Sequence, residues 1–269
     1  AALVIAAIDG GALNSELQEA AEKGIKILAY DRLLTHTPHL DFYVSFDNFQ
    51  VGALQAQSIV QGLKMDQGGG PFNLEIFGGT QDDSNAHLFH AGAMSVLRPY
   101  VTDQKILVPS QELDMKDVST TRWYSTLAVS RMISLLNRHY QDRRLHAVLS
   151  PLDGISIGIL DSLKAMGYGK TGRPLPVVTG QDAEVPSIRS IVAGEQSSTI
   201  FKDTRALAWS AAEIVDELLA GRVPAHDPAQ NYDNQTKRVP TRLLQPVLVD
   251  ASNYQAVLID SGYIKATDL

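Results

Sequence analysis

Residues 27–34 read ILAYDRLL, an apolar run that ends in an adjacent acid and base, Asp31 and Arg32. The run from Ile25 to Tyr30 has the length and composition of a buried β-strand. A buried strand that ends in two full charges leaves the core at that point. We therefore expect Asp31 and Arg32 to lie at the carboxyl end of a strand, where the chain enters a cleft.

The same alternation of short apolar runs and amphipathic stretches continues along the chain. Strands are predicted at Ala2–Ile8, Ile25–Tyr30, Phe42–Phe46, Leu74–Phe77, Ile106–Val108, His146–Leu149, Pro176–Gly180 and Ser198–Phe201. Helices are predicted at about 14–24, 51–63, 84–97, 120–140, 155–166, 185–193 and 205–220. Strands that alternate with helices indicate parallel sheets covered by helices on both faces. The glycine-rich segment 64–71, KMDQGGGP, interrupts the series and favours two α/β lobes over one continuous sheet.

Composition narrows the class of protein. The chain has 269 residues, 44% of them hydrophobic, and a formal net charge of -7, which argues against nucleic-acid binding. It has no cysteine, which excludes disulfides, thiolate metal sites and cysteine nucleophiles. It has neither an apolar run long enough to span a membrane nor a signal peptide. The first residues, AALVIAAIDGG, resemble the middle of a buried strand, so we expect upstream sequence.

Ligands of open α/β sheets bind beyond the carboxyl ends of the strands. Polar residues gather there, and the candidates are Asp31, Arg32, Asp83, Asn85, Asp182 and Lys202. An Asp or Asn after a strand often only caps the next helix, a role that suits Asp47, Asp153 and Asp203. Carboxylates beside cations are harder to explain as caps. Together they offer fixed acceptors and donors, which suit a sugar hydroxyl because it both donates and accepts.

A sugar also has apolar C–H faces that pack on a flat aromatic ring. Trp123, at the start of the predicted helix 120–140, is the candidate, with core packing as an equal alternative. Trp209 is expected to serve packing. No residue set predicts a metal or a cofactor.

Several segments resemble known functional motifs but lack their defining residues. GYGKTG (167–172) lacks the first glycine of a phosphate loop and follows a helix. His87 and His90 lack the pattern of a zinc site, and no G-x-S-x-G predicts a hydrolase. Paired carboxylates could indicate a glycosidase, but polar neighbours around Asp31 and Asp182 argue against a raised pKa.

Six segments, taken in order, resemble the bacterial periplasmic sugar-binding proteins, in the group of xylose-binding proteins and multiple-sugar-binding receptors. They are AYDRLL, FYVSFDNFQVG, FGGTQDDSNAHLFHAGAMSVL, SPLDGISIG, TGQDAEVPSIRSIVAGEQSSTIFKD and VPTRLLQPV. The resemblance covers essentially the whole chain.

The resemblance implies a type I periplasmic binding fold: two Rossmann-like lobes with parallel sheets, a three-stranded hinge, and a sugar captured between the lobes. It places residues 1–66 and 203–240 in the N-terminal lobe and residues 67–202 and 241–269 in the C-terminal lobe. The first two βα units of the family have no counterpart here, and with them a basic and an aromatic ligand residue.

The family's ligand residues match Asp31, Arg32, Asp83, Asn85, Trp123, Asp182 and Lys202. Asp83 and Asn85 fall in GGTQDDSNA, where the family reads GGSPxDNNA. Relatives often carry Asn-Asp where this chain has Leu152-Asp153, so one amide contact is lost or Asp153 replaces it.

The implied function is a monomeric periplasmic receptor without a cofactor. It would deliver a monosaccharide to an ABC transporter permease and, in some relatives, also engage a membrane sensor or chemoreceptor. The runner-up is the sugar-effector domain of a LacI-type repressor, and the third alternative is a glycoside hydrolase. The sequence does not determine which sugar is bound.

Overall fold

The computed structural model describes all residues from 1 to 269 and shows an α/β protein. The strands are β1 (Ala2–Ile5), β2 (Lys26–Tyr30), β3 (Phe42–Phe46), β4 (Phe72–Ile76), β5 (Ile106–Leu107), β6 (Ala147–Leu149), β7 (Val177–Val178), β8 (Ser198–Phe201), β9 (Tyr232–Asp233), β10 (Arg238–Val239), β11 (Thr241–Leu244) and β12 (Val247–Asp250). The helices are α1 (Asn14–Glu22), α2 (Asn48–Gly62), α3 (Ser84–Thr102), α4 (Met115–Val118), α5 (Ser125–His139), α6 (Asp153–Ala165), α7 (Val185–Val192) and α8 (Thr204–Leu219).

The chain divides into two compact units. Unit 1 comprises residues 1–48, 82–85 and 203–246, and unit 2 comprises residues 49–81, 86–202 and 247–269. The glycine-rich segment 64–71 connects α2 to β4 inside unit 2. The predicted lobe boundaries therefore differ from the compact units at residues 49–66, 82–85 and 241–246, so Asp83 and Asn85 lie in unit 1 and not with the predicted C-terminal lobe. Glycine-rich composition marks a break in regular structure, and such a break need not be a boundary between domains.

Unit 1 is built on a parallel four-stranded sheet with the order β1-β2-β3-β11. All five residues of β3 are buried, as expected for a parallel strand covered on both faces. Helix α8 covers one face with Leu207 and Ile214, which pack against Leu28 and Val44. A short antiparallel hairpin, β9–β10, completes the unit.

The edge strand of unit 1 is less covered than the rest of its sheet. β1 is shorter than predicted, ending at Ile5, and pairs only with β2. Leu3 and Val4 are 40% and 51% exposed. The apolar run that predicted a buried strand thus lies at a sheet edge, where side chains of both faces meet solvent.

Unit 2 contains a parallel sheet with the order β5-β4-β6-β7 and a separate antiparallel pair, β8–β12. Helices α2 and α3 cross at two glycines. A Cβ on Gly52 would lie 1.8 Å from the carbonyl oxygen of Phe89, and one on Gly92 would lie 1.9 Å from that of Phe49. Only glycine allows the two helix backbones to approach this closely.

One predicted element is wrong at its start. The helix predicted over 120–140 begins at Ser125, and residues 121–123 form a 3₁₀ turn. Arg122 and Trp123 have φ of 52° and 58°, which no α-helix accommodates. Trp123 therefore lies on a turn before the helix, which fixes its ring independently of the helix axis.

Candidate functional site

The seven predicted ligand residues fall into two groups, one in each unit. Asp31, Arg32, Asp83 and Asn85 lie in unit 1 and are called the unit 1 cluster. Trp123, Asp182 and Lys202 lie in unit 2 and are called the unit 2 cluster. Within each unit the structure brings the members together, and their roles as ligands stay a prediction.

An ion pair organises the unit 1 cluster. Arg32 Nη2 lies 3.1 Å from Asp83 Oδ2, and Arg32 Nη1 donates to the carbonyl oxygen of Ile8. Asp83 also accepts a hydrogen bond from the backbone N–H of Asn85 at the start of α3, the geometry of a helix N-cap. Asp83 therefore caps α3, and its role as a ligand residue stays a prediction.

The amide of Asn85 is bonded on both sides within unit 1. Its Nδ2 donates to the backbone carbonyl of Asp31, and its Oδ1 accepts from Asn48 Nδ2. The carbonyl of Asp31 also accepts from the hydroxyls of Tyr43 and Ser45. Asn85 therefore restrains the backbone of Asp31 through the hydrogen bond to its carbonyl group.

A second ion pair organises the unit 2 cluster. Lys202 Nζ lies 3.1 Å from Asp182 Oδ1 and 5.7 Å from the ring centroid of Phe89. The Lys202 side chain is 14% exposed and that of Asp182 is 38% exposed. Asp182 and Ala183 form a turn with φ of 92° and 51°. Left-handed backbone at two successive non-glycine residues costs free energy that the surrounding contacts must supply.

The indole of Trp123 lies on bare backbone. A Cβ placed on Gly79 would meet the indole at 2.1 Å, so the residue at position 79 must be glycine for the ring to rest there. Phe89 provides a second contact, because its ring meets the indole edge-on with the two ring centroids 6.3 Å apart. The ring is thus fixed as a flat, partly buried surface, and packing and stacking on a ligand are compatible roles.

Asp153 is a buried anchor of the unit 2 cluster. Its carboxylate accepts hydrogen bonds from Gln196 Nε2, Thr199 Oγ1 and the backbone N–H of Glu184. Thr199 Oγ1 in turn accepts from the backbone N–H of Ala183. Burial raises the pKa of Asp153 to about 7, although these hydrogen bonds oppose the rise. Asp153 therefore supports the turn that carries Asp182.

Several residues that shape the clusters are not predicted from the sequence: Tyr43, Ser45, Asn48, Phe89, Gln196 and Thr199. Tyr43 and Ser45 lie in FYVSF, which has the composition of a core strand, and only the serine at its fourth position indicates a polar role. Asp203 accepts from the backbone N–H of Arg205 and caps α8, which confirms the capping prediction for Asp203. For Asp153 that prediction is wrong, because Asp153 is the first residue within α6 and its carboxylate bonds to groups outside the helix.

His87 and His90, for which the sequence predicts no zinc site, bond to backbone carbonyl groups. His87 Nε2 bonds to the carbonyl of Gln81, and His90 Nε2 to that of Leu113. The structure has no group of three or more His, Cys, Asp or Glu residues arranged to hold a metal ion. None of its helices combines the length and apolar character needed to cross a membrane.

Comparison with known proteins identifies the family. A family profile described as "Periplasmic binding protein domain" matches residues 1–222. The multiple sugar-binding periplasmic receptor ChvE of Rhizobium radiobacter is 54% identical over 267 residues, covering 99% of this chain and 75% of the relative. The multiple sugar-binding periplasmic protein SbpA of Azospirillum brasilense is 55% identical over 261 residues, covering 97% and 73%.

A solved structure agrees. An ABC transporter solute-binding protein from Clostridium phytofermentans, with bound β-D-glucose, superposes with a TM-score of 0.92 at 39% identity. The match covers 100% of this chain and 82% of the other. The resemblance drawn from the sequence motifs is confirmed by these matches.

Proposed function

Because this chain belongs to the family of periplasmic binding proteins, we propose that it is a periplasmic receptor that captures a monosaccharide and delivers it to an ABC importer. The observation that carries the proposal is the pairing of a carboxylate with a cation in each cluster: Asp83 with Arg32, and Asp182 with Lys202. The names of the two relatives and the glucose bound to the solved structure support a sugar as the ligand.

The physical basis is the dual character of a hydroxyl. An ionised carboxylate only accepts hydrogen bonds, and a guanidinium or ammonium only donates them. A sugar hydroxyl beside such a pair donates to one partner and accepts from the other. Charge-assisted hydrogen bonds of this kind are about twice as strong as neutral ones. We propose that Asp31, Arg32, Asp83, Asp182 and Lys202 supply them.

Trp123 supplies the apolar part of the interaction. A pyranose presents C–H groups on its faces, and a fixed indole offers them a flat surface. Because Gly79 and Phe89 already hold the ring, little side-chain entropy is lost when a sugar stacks on it.

Binding without catalysis is the better account of the carboxylates. A glycosidase needs a general acid with a raised pKa whose oxygen faces the scissile bond. The carboxyl whose pKa is raised to about 7 is that of Asp153, and both its oxygens already accept hydrogen bonds from unit 2 groups. The relatives are described as a receptor and a binding protein.

We propose that the sugar-loaded form engages an ABC permease as a monomer. Engagement of a membrane sensor or chemoreceptor is a further proposal, which the identity to a protein named a receptor supports.

The test is isothermal calorimetry of the chain against aldopentoses, aldohexoses and uronic acids. We expect one sugar per chain with a dissociation constant in the micromolar range or below. Asp227→Ala is the matched control, because Asp227 only caps a 3₁₀ turn of unit 1 and should leave the affinity unchanged. Absence of binding at millimolar concentrations of every sugar would overturn the proposal. Turnover of nitrophenyl glycosides would favour the hydrolase instead.

A further inference from the structure

One backbone carbonyl in the unit 1 cluster collects three side-chain donors. The oxygen of Asp31 accepts from Tyr43 Oη at 2.8 Å, from Ser45 Oγ at 2.9 Å and from Asn85 Nδ2 at 3.1 Å. A carbonyl oxygen has two lone pairs, so three donors exceed the usual number. The residue that owns this carbonyl has a φ of 62°, in the left-handed region that disfavours a residue with a Cβ.

The donors are themselves held in place. Tyr43 and Ser45 are two positions apart on β3, so their side chains project from the same face of the strand. The ring of Tyr43 packs edge-on against Tyr232, with centroids 5.4 Å apart. Burial holds the pKa of Tyr43 well above its usual value, so the phenol stays protonated and remains a donor.

The third donor is fixed through its other end. Asn85 Oδ1 accepts from Asn48 Nδ2 at 2.9 Å, and Asn48 Nδ2 also donates to Ser45 Oγ at 3.3 Å. Asn48, Ser45 and Asn85 are all buried. None of these donors can follow the carbonyl if residue 31 rotates, so rotation would leave buried polar groups without partners, at a cost for each.

We propose that Tyr43, Ser45 and Asn85 are positioning residues that hold Asp31 in its left-handed conformation and so orient its carboxylate for the ligand. The orientation of the carboxylate for a ligand rests on the proposed function. The conformation of Asp31 rests only on contacts within unit 1. Because folding already fixes the orientation of the Asp31 carboxylate, binding a ligand does not lose further conformational entropy at this residue, which is the general basis of preorganisation.

The conformational part is tested without any ligand. Urea unfolding is measured for Asp31→Gly and Asp31→Ala, first with Ser45 intact and then in the Ser45→Ala background. A left-handed position favours Gly over Ala by about tenfold in the folding equilibrium constant. We expect that ratio with Ser45 intact and a clearly smaller ratio in Ser45→Ala. Equal ratios in both backgrounds would overturn the inference.

The orienting part is tested with D-glucose as the probe. We expect Ser45→Ala and Tyr43→Phe each to weaken binding by about three- to tenfold, the loss typical of one hydrogen bond. In an Asp31→Ala background the same changes should have no further effect on binding. A purely structural role would instead lower the melting temperature and leave the affinity unchanged, or weaken it equally in both backgrounds.

Thr37→Val is the matched control. It removes another buried hydroxyl of unit 1, one that accepts from the backbone N–H of His39, and should leave glucose affinity unchanged. If the unaltered chain binds no glucose, the proposed function fails for that sugar. The unfolding comparison still decides whether the donors hold residue 31, so the two failures are distinguishable.

Discussion

The two clusters carry the same pair of charges but bury opposite partners. In unit 1 the acid is buried: the Asp83 side chain is 4% exposed and that of Arg32 is 27% exposed. In unit 2 the base is buried: the Lys202 side chain is 14% exposed and that of Asp182 is 38% exposed. The buried partner in each pair is also the one that the surrounding structure uses, Asp83 as a helix cap and Lys202 beside the ring of Phe89.

The difference concerns which charged group in each pair remains accessible to a ligand. A buried charge needs its partner for stability, whereas a half-exposed charge is solvated and keeps hydrogen-bonding capacity for a ligand. Unit 1 therefore ties its pair to the fold more strongly than unit 2 does. Variants that remove one charge from each unit should separate stability from affinity.

The largest stability effect is expected from removing the cation of unit 1. Arg32→Met leaves the Asp83 carboxylate buried without its ion-pair partner, and we expect a loss of about 3 kcal/mol of unfolding free energy. Lys202→Met leaves the more exposed Asp182, and we expect a loss of about 1 kcal/mol or less. Urea unfolding at pH 7 measures both, and equal losses would remove the asymmetry between the clusters.

The aromatic surface of unit 2 gives the next effect. Gly79→Ala places a methyl group where the Trp123 indole lies, so the ring must move, and we expect about a tenfold loss of sugar affinity. Gly78→Ala is the matched control. Its Cβ would meet the Met115 sulfur at 3.0 Å and Val118 Cγ2 at 3.1 Å, so it also crowds neighbouring side chains but does not displace the indole. Fluorescence in a Trp209→Phe background, which isolates Trp123, reports the movement. Equal affinities for the two glycine variants would contradict the account.

The buried anchor of unit 2 predicts a dependence on pH. The pKa of Asp153 is raised by burial from its ordinary 3.8 to about 7. Between these values the folded state binds more protons than the unfolded state. The contribution of Asp153 to stability is therefore greatest below pH 4 and declines as the pH rises towards 7.

Asp153→Asn tests that dependence. The amide cannot titrate and offers one acceptor oxygen where the carboxylate offers two. Either Gln196, which bonds Oδ1, or both Thr199 and the Glu184 N–H, which bond Oδ2, then lose their acceptor. We expect the variant to be about 1–3 kcal/mol less stable at pH 7, with a flatter profile of stability between pH 4 and pH 7. Melting temperatures across that range measure it, and a profile parallel to that of the parent chain would rule out Asp153 as the titrating group.

The smallest effect is expected outside both clusters. Asp203→Ala removes the N-cap of α8 and should cost about 1 kcal/mol of unfolding free energy. Sugar affinity should not change, since Asp203 bonds to the backbone and side chain of Arg205. A parallel loss of affinity would show that Asp203, the first residue of the unit 1 segment 203–246, also takes part in binding.

Particular residues show why the sequence predicted some of this and not the rest. The strand ends were predictable, because an apolar run that stops at Asp31-Arg32 or at Lys202 marks the point where the chain leaves a sheet. The turn at Arg122 and Trp123 was not, because left-handed backbone at non-glycine residues leaves no mark in composition.

The supporting residues were hidden for a different reason. Phe89 in α3 and Tyr43 in β3 have the spacing of core residues, and they are buried core residues as well as partners of the clusters. Gly79 follows the predicted strand 74–77 with nothing local to mark a role, because a glycine is required there only by the Trp123 ring, which comes from elsewhere in the chain. Roles that arise from contacts distant in sequence are not encoded in local pattern.

We propose that the chain binds a monosaccharide and that Asp31 and Asp182 are ligand residues. This proposal is tested most directly by calorimetric titration of D-glucose into three proteins: the unaltered chain, Asp31→Ala and Asp182→Ala. We expect one glucose molecule to bind per unaltered chain. In each variant we expect a loss of affinity of about 100-fold or more, as is typical when charge-assisted hydrogen bonds are removed. Undiminished binding by either variant would contradict the proposal.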